Sequence, residues 1–243
     1  MKNDFTSYKY KEFLTHLNKI DFPIYTLKAW IEKKPNHGMI LRHDVDRNPK
    51  NAIVLAKIAS NLGIKGTFNF RVKKGKFETK EIKEISQLGH EIGYHYEDLS
   101  FANGKMDQAL KLFNKNLTLL RELAEVKTAT MHGRPLSKFD NREIWEFATI
   151  EEFKLIGEAY ISLDYKKLYY LTDTGRTWGE TTANIRDRAT NSLSIPLKIK
   201  ATDDIREFVY SNNKTSIAIV FHPERWSSNY IQLTFQALLD SLV

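Results

Sequence analysis

The sequence predicts an α/β protein built around a parallel sheet, closed as a barrel or opened as a doubly wound sheet, in one domain over residues 1–243. Three observations carry this. Apolar runs of strand length alternate with longer segments of helical period, and four β-then-α steps follow one another without a repeat. The length suits one large α/β domain, or two small ones, and 42% hydrophobic residues fill a substantial core. Finally, chemistry-bearing residues fall at the C-terminal ends of several predicted strands, the rim on which parallel α/β barrels build their sites.

Taken in order, "YKEFLTHLNKI" (10–20) reads as a helix within an N-terminal extension, residues 1–35, that packs on the barrel. "GMILRHDVD" (38–46) is the first strand, and "PKNAIVLAKIASNLG" (49–63) is a helix that opens on Pro49 and stops at Gly63. The strand "GTFNFRV" (66–72), the helix "TKEIKEISQLG" (79–89) and the strand "HEIGYH" (90–95) follow. "MDQALKLFNKNLTLLRELAEV" (106–126) is the longest helical pattern and leads into the strand "KTATMH" (127–132). Residues 133–200 are loop-rich, with a helix expected over 141–153 and a strand over 167–175. The chain closes with a helix (202–213), the strand "SIAIVFH" (216–222) and a helix (229–242).

Composition narrows the function classes. No apolar segment approaches the ~20 residues of a bilayer span, and "MKNDFTSYKY" lacks an apolar signal core, so a cytoplasmic protein is expected. Without cysteine there is no disulfide framework, thiolate nucleophile or thiolate zinc site, and any metal must be held by His, Asp and Glu. The net charge of +7 suits an anionic sugar or phosphate ligand, but the basic residues are dispersed. The one dense run, "RVKKGK" (71–76), reads as a solvated loop, and no basic-plus-aromatic array supports nucleic-acid binding. No glycine-rich phosphate loop is present, and the sequence leaves the oligomeric state open.

Asp44, Asp46, His95, His132, Asp173 and His222 all end predicted strands, although the chain has only seven histidines. Asp44 and Asp46, at i and i+2 of one strand, face the same way while His43 faces the other, as a structural hydrogen-bonder. Two neighbouring carboxylates resist joint ionisation unless a cation lies beside them. A divalent ion supplies that charge, and Zn²⁺ or Mn²⁺ accepts mixed His/Asp ligands and activates a water. The plainer alternative pairs Asp44 and Asp46 with Arg42 and Arg47.

"RHDVD" after a strand, "GHEIGYH" after a helix and "IVFHPERW" near the C-terminus together resemble the motifs of the polysaccharide deacetylase (NodB-homology) superfamily, in a divergent branch with HDVD and HPERW signatures. The resemblance runs over most of the chain. It implies a distorted (β/α)7 TIM-like barrel and hydrolysis of an N-acetyl or related amide group with one divalent ion, zinc first, with manganese, nickel or cobalt as alternatives. It implies Asp44 as general base, Asp46 and His95 as metal ligands, and His222 as the acid that protonates the leaving amine. Where the superfamily has a further histidine four residues after the first, this chain has Leu99. His132 in "MHGRPLS" is the expected substitute ligand, with Glu97 second. The superfamily's base-orienting arginine is matched loosely by Arg134.

For substrate, Arg134, Asp173, Arg176, Arg225 and Trp226 are the candidates: Arg176 and Trp178 could grip and stack a sugar ring or only shape a loop, and Arg225 and Trp226 suit an anionic pyranose. His90 lies at the opposite rim, and His16 and His37 are surface or loop residues. The expected activity is N-deacylation of an amino sugar or small amide in surface-glycan precursor biosynthesis. The alternative is a catalytically degenerate barrel that binds sugar or acts as a scaffold, suggested by Leu99.

Overall fold

The structure, a computed structural model, describes residues 4–73, 75–134, 137–178, 189, 191–196, 198–227, 229, 231 and 233–234. Most of the helix expected over 229–242, and the end of "TDTGRTWGE" beyond Trp178, lie outside the described residues.

The elements run α1 (Ser7–Lys19), β1 (Ile24–Tyr25), α2 (Leu27–Lys33), β2 (Gly38–Val45), α3 (Pro49–Asn61), β3 (Thr67–Phe70), α4 (Thr79–Gln87), β4 (Glu91–Tyr96), α5 (Asp98–Phe101), α6 (Met106–Arg121), β5 (Val126–Met131), β6 (Gly157–Glu158), β7 (Tyr169–Thr172), α7 (Thr202–Ser211) and β8 (Ser216–Phe221). Every strand pairing is parallel, in the order β6-β5-β4-β3-β2-β8-β7, with β1 beside the start of β2. This is the curled sheet of a distorted (β/α)7 barrel. Its two ends, β6 and β7, are bridged by side chains: the hydroxyls of Tyr160, just past β6, and Tyr170 on β7 lie 3.0 Å apart.

Helical spacing explains the outer layer. On α6 the residues Ala109, Phe113, Leu117 and Leu120 form one buried stripe, and Phe113 meets the rings of Tyr94 and Tyr96 on β4 at 5.1 and 5.3 Å. On α1 the stripe Tyr10, Phe13, Leu14 and Leu17 joins Leu41, Ile219 and Phe221 in a second apolar cluster. Strand alternation thus sends His43 outward, where it is fully buried, bonds the Tyr10 hydroxyl (2.8 Å) and Thr67 carbonyl (3.1 Å), and stacks on Phe68. Burial holds that imidazole near pKa 3, so it is a neutral structural group.

The lower end of the barrel carries a polar plug. Glu91 on β4 accepts hydrogen bonds from the Thr67 and Thr128 hydroxyls and from the Lys28 backbone N–H in the first turn of α2. The extension over 1–35 is therefore more than a helix: β1 adds to the sheet, and α2 seats its N-terminus on Glu91. Two strands of two residues, β1 and β6, and two helices of seven or fewer, α2 and α5, escaped sequence periodicity because a strand needs more than one alternation and a helix more than two turns to show its period. The expected helix over 141–153 is two 3-10 turns, Asn141–Glu146 capped by Asp140, and Glu151–Phe153 ended by Lys154 in the left-handed region (φ 55°).

Candidate metal centre

β2 ends at the rim with Asp44 and Asp46, and their surroundings differ. Asp44 is 1% exposed and held in a two-pronged ion pair: Arg42 Nε donates to Oδ1 at 3.0 Å and Nη2 to Oδ2 at 2.5 Å. Asn69, its register partner on β3, donates to Oδ1 at 2.8 Å. Burial raises the Asp44 pKa, but the Arg42 guanidinium and His95 outweigh it and hold the carboxyl well below the usual range. The alternative pairing is thus half right, for Arg42 takes Asp44 while Asp46 goes elsewhere. Gly93 makes room for this: a Cβ there would collide with the Asn69 side-chain oxygen.

Asp46 meets two imidazoles. Its Oδ1 lies 3.2 Å from His95 Nε2, and its Oδ2 lies 3.4 Å from His132 Nε2. The ligand atoms of Asp46, His95 and His132 all lie within 4.8 Å of one another. Both rings are turned by bonds at their other nitrogen, His95 Nδ1 to the Thr130 carbonyl (3.1 Å) and His132 Nδ1 to Glu97 (3.3 Å). That is the arrangement in which outer partners fix tautomer and aim for a metal-binding histidine. Asp46 Oδ1 is buried yet makes no hydrogen bond of good geometry, which leaves it a lone pair for an ion. The donor set, two imidazole nitrogens and a carboxylate oxygen, fits a divalent transition ion with a position left over for substrate or water. Burial lowers the His132 pKa, but the Asp46 carboxylate raises it to about 9, so uptake of an ion would displace a proton.

Glu97, the second choice as ligand, is placed behind His132: Arg71 Nη2 bonds one oxygen, and His132 Nδ1 and Arg134 Nη1 (3.5 Å) approach the other. It orients a ligand. Arg134, the loose match for a base-orienting arginine, reaches Glu97 and lies over the Phe101 ring at 4.9 Å, while Arg42 does the orienting. Leu99 is 1% exposed in the apolar cluster around α6, so that position faces the core and the neighbouring strand β5 supplies the second histidine.

On the other side of Asp44, β8 ends in His222, one residue past the register pair His43–Phe221. Asp173, expected to touch substrate, is instead 0% exposed and fully engaged: it accepts from the His222 backbone N–H (2.9 Å) and from Trp226 Nε1 (2.5 Å), and pairs with His222 Nδ1 at 2.6 Å. Burial and Arg225 lower the His222 pKa, but the Asp173 charge prevails and raises it to about 9. His222 is therefore an imidazolium at neutral pH.

Packing rules out Trp226 as a stacking face and gives Arg176 and Trp178 the loop-shaping role that the sequence left open. Trp226 is 0% exposed, edge-on to Phe221 at 5.1 Å, and so offers no stacking face. Arg176 covers the Phe5 ring at 5.1 Å and donates to the Arg225 carbonyl (3.4 Å), shaping a loop, and Trp178 is buried beneath with Nε1 on Thr202. Arg225 Nη1 lies 3.5 Å from Asp173, close enough to restrain it. Sequence reasoning offered Arg42 only as a plain ion-pair partner and missed the roles of Asn69 and Arg71; for Asn69 the pairing of neighbouring strands was the available signal.

No family's sequence model matches the chain, and no curated protein does. Among solved structures, a CE4 family pseudoenzyme from Bacillus anthracis shares 16% identity over 86% of this chain and 60% of its own, with a TM-score of 0.44. The chain thus spans under two thirds of that protein. A peptidoglycan N-acetylglucosamine deacetylase shares 15% over 90% of this chain and 89% of its own (TM-score 0.43), and a Streptococcus mutans CE4 esterase 15% over 82% and 92% (TM-score 0.45). These likenesses are too distant to assign chemistry, which rests on the geometry above. What this chain resembles among solved structures is the CE4 group of carbohydrate esterases and deacetylases, pseudoenzymes included.

Proposed function

We propose that the protein hydrolyses an amide, an N-acetyl or related N-acyl group on an amino sugar, using one divalent ion, zinc first, held by Asp46, His95 and His132. The observation that supports this best is that the three-ligand cluster shares its rim with a carboxylate clamped as an anion, Asp44, beyond which β8 brings an imidazolium, His222. When bound, the ion would polarise the amide carbonyl and acidify a water. Asp44 would serve as the base at Oδ2, the oxygen 3.9 Å from His95 Nε2. Arg42 and Asn69 keep the carboxylate aimed and ionised. His222, with Nδ1 committed to Asp173, delivers a proton from Nε2 to the departing nitrogen, because an unprotonated amide anion is a very poor leaving group.

We place the substrate among cytoplasmic sugar precursors of a surface glycan, a reading to which the basic net charge lends an affinity for anionic carriers. Amine release from N-acetylated and N-formylated amino sugars, free and nucleotide-linked, tests the proposal. Wild type loaded with Zn²⁺ or Mn²⁺ should turn over at least one, while Asp44→Asn and His222→Ala keep the ion and lose about 10²–10⁴-fold. A wild type that binds the ion yet is inactive throughout would point to the non-catalytic sugar-binding barrel.

A further inference from the structure

A fourth side chain reaches the ligand atoms of the triad, and it is a cation. Arg71, just beyond β3, places Nη1 3.3 Å from His132 Nε2 and 4.0 Å from Asp46 Oδ1, the two atoms that would take an ion on that side. Its other terminal nitrogen bonds Glu97. Its Nε is buried and makes no hydrogen bond, so among the described residues the head group is held by Glu97 and by the triad itself. With its side chain 21% exposed, it has a path toward the mouth of the barrel.

A guanidinium is always charged and has no lone pair, so beside Asp46 it can stand in for a cation but cannot share that space with a divalent ion. Two positive centres a few Å apart in a half-buried site repel strongly. We propose that Arg71 is the resident cation of the triad, and that metal uptake and withdrawal of its guanidinium are a single exchange. This rests on the metal reading above and deepens it. Arg71 keeps the acidic cluster neutralised while no ion is present, sets a ceiling on metal affinity, and on withdrawal stays tethered through Glu97 at the site's edge.

The test is metal affinity of the stripped full-length chain, measured for Zn²⁺ and Mn²⁺ by competition with a chromogenic chelator. Arg71→Gln, which keeps length and hydrogen bonding but removes the charge, should bind at least about tenfold tighter, whereas Arg71→Lys should stay near wild type. Affinity in Arg71→Gln equal to or weaker than wild type overturns the exchange and makes Arg71 a mere support for Glu97. Asp46→Ala should bind nothing, and absence of binding in every form, Arg71→Gln included, sinks the metal reading itself. Zn²⁺ titration of wild type, followed by nitrogen NMR of arginine side chains, gives an independent readout that needs no variant. Arg71 should shift together with His132 up to one equivalent, and an unmoved Arg71 beside a shifted His132 overturns the proposal.

Discussion

Replacing Asp173 by Asn leaves the shape of the His222 anchor nearly intact while removing its charge. Asp173 receives three donors, the His222 backbone N–H, His222 Nδ1 and Trp226 Nε1, and its negative charge overcomes burial and Arg225 to lift His222 to about 9. Without it, burial and Arg225 outweigh the smaller pull of Glu224, so the His222 pKa should fall to or below its ordinary 6.5, a drop of about 2.5 pH units or more, equivalent to about 3 kcal/mol. At pH 7.5 the charged fraction goes from about 97% to about 9% or less, so loss of acid alone costs at least ~10-fold in turnover. The raised pKa also links to stability: the contribution is fully present below pH 6.5 and is lost as pH rises through about 9. Wild type should therefore melt progressively lower between pH 6.5 and 9.5 on this account, and Asp173→Asn should lose that part of the slope. Proton NMR titration of the imidazole, with a pH–rate profile on any substrate that proves active, reads both. An imidazole in Asp173→Asn that still titrates near 9, or an unmoved alkaline limb, would refute the reasoning.

Three further outcomes follow from the site. His132→Ala should weaken Zn²⁺ binding by more than about 100-fold, and Glu97→Gln by about 10–100-fold, the range for an outer partner of a ligand; the reverse order by chelator competition would make Glu97 the ligand. Gly93→Ala forces a Cβ against the Asn69 side chain and should cost about 1–3 kcal/mol in urea denaturation, with stability recovered in the double variant with Asn69→Ala; no recovery would place the clash elsewhere. Arg42→Met should leave metal binding in place, because Arg42 touches none of the three ligands, yet raise the Asp44 pKa and move the acid limb of any pH–rate profile to higher pH; an unchanged acid limb would remove Asp44 as base.

Much of this was legible in the linear chain. Among the described residues, apolar periodicity placed every long element to within a few residues, because alternation and helical spacing are written into neighbouring positions and need no partner to be read. It also placed Asp44, Asp46, His95, His132 and His222 at one rim, since in a parallel sheet every strand delivers its C-terminal end to the same side. Strands of two residues and helices of seven or fewer, such as β6 and α2, fall below what a period can reveal, and α2 is held by a tertiary partner, Glu91.

Who pairs with whom at that rim was decided only by the folded sheet. Register sets Asn69 beside Asp44, and the curl brings Arg71 from β3 against His132 from β5 although β4 lies between them. Asp173 and Trp226 read as substrate groups in one dimension because polar and aromatic residues at a strand end look exposed. Packing of α1 and the β8 segment buries both, and turns a candidate sugar contact into the counter-charge of His222. The sequence by itself determined which faces and which rim the chemistry occupies, because side-chain direction is a local property of the backbone. The tertiary structure alone decided which charges neutralise each other, because burial and contact distance depend on strands and helices far apart in the chain.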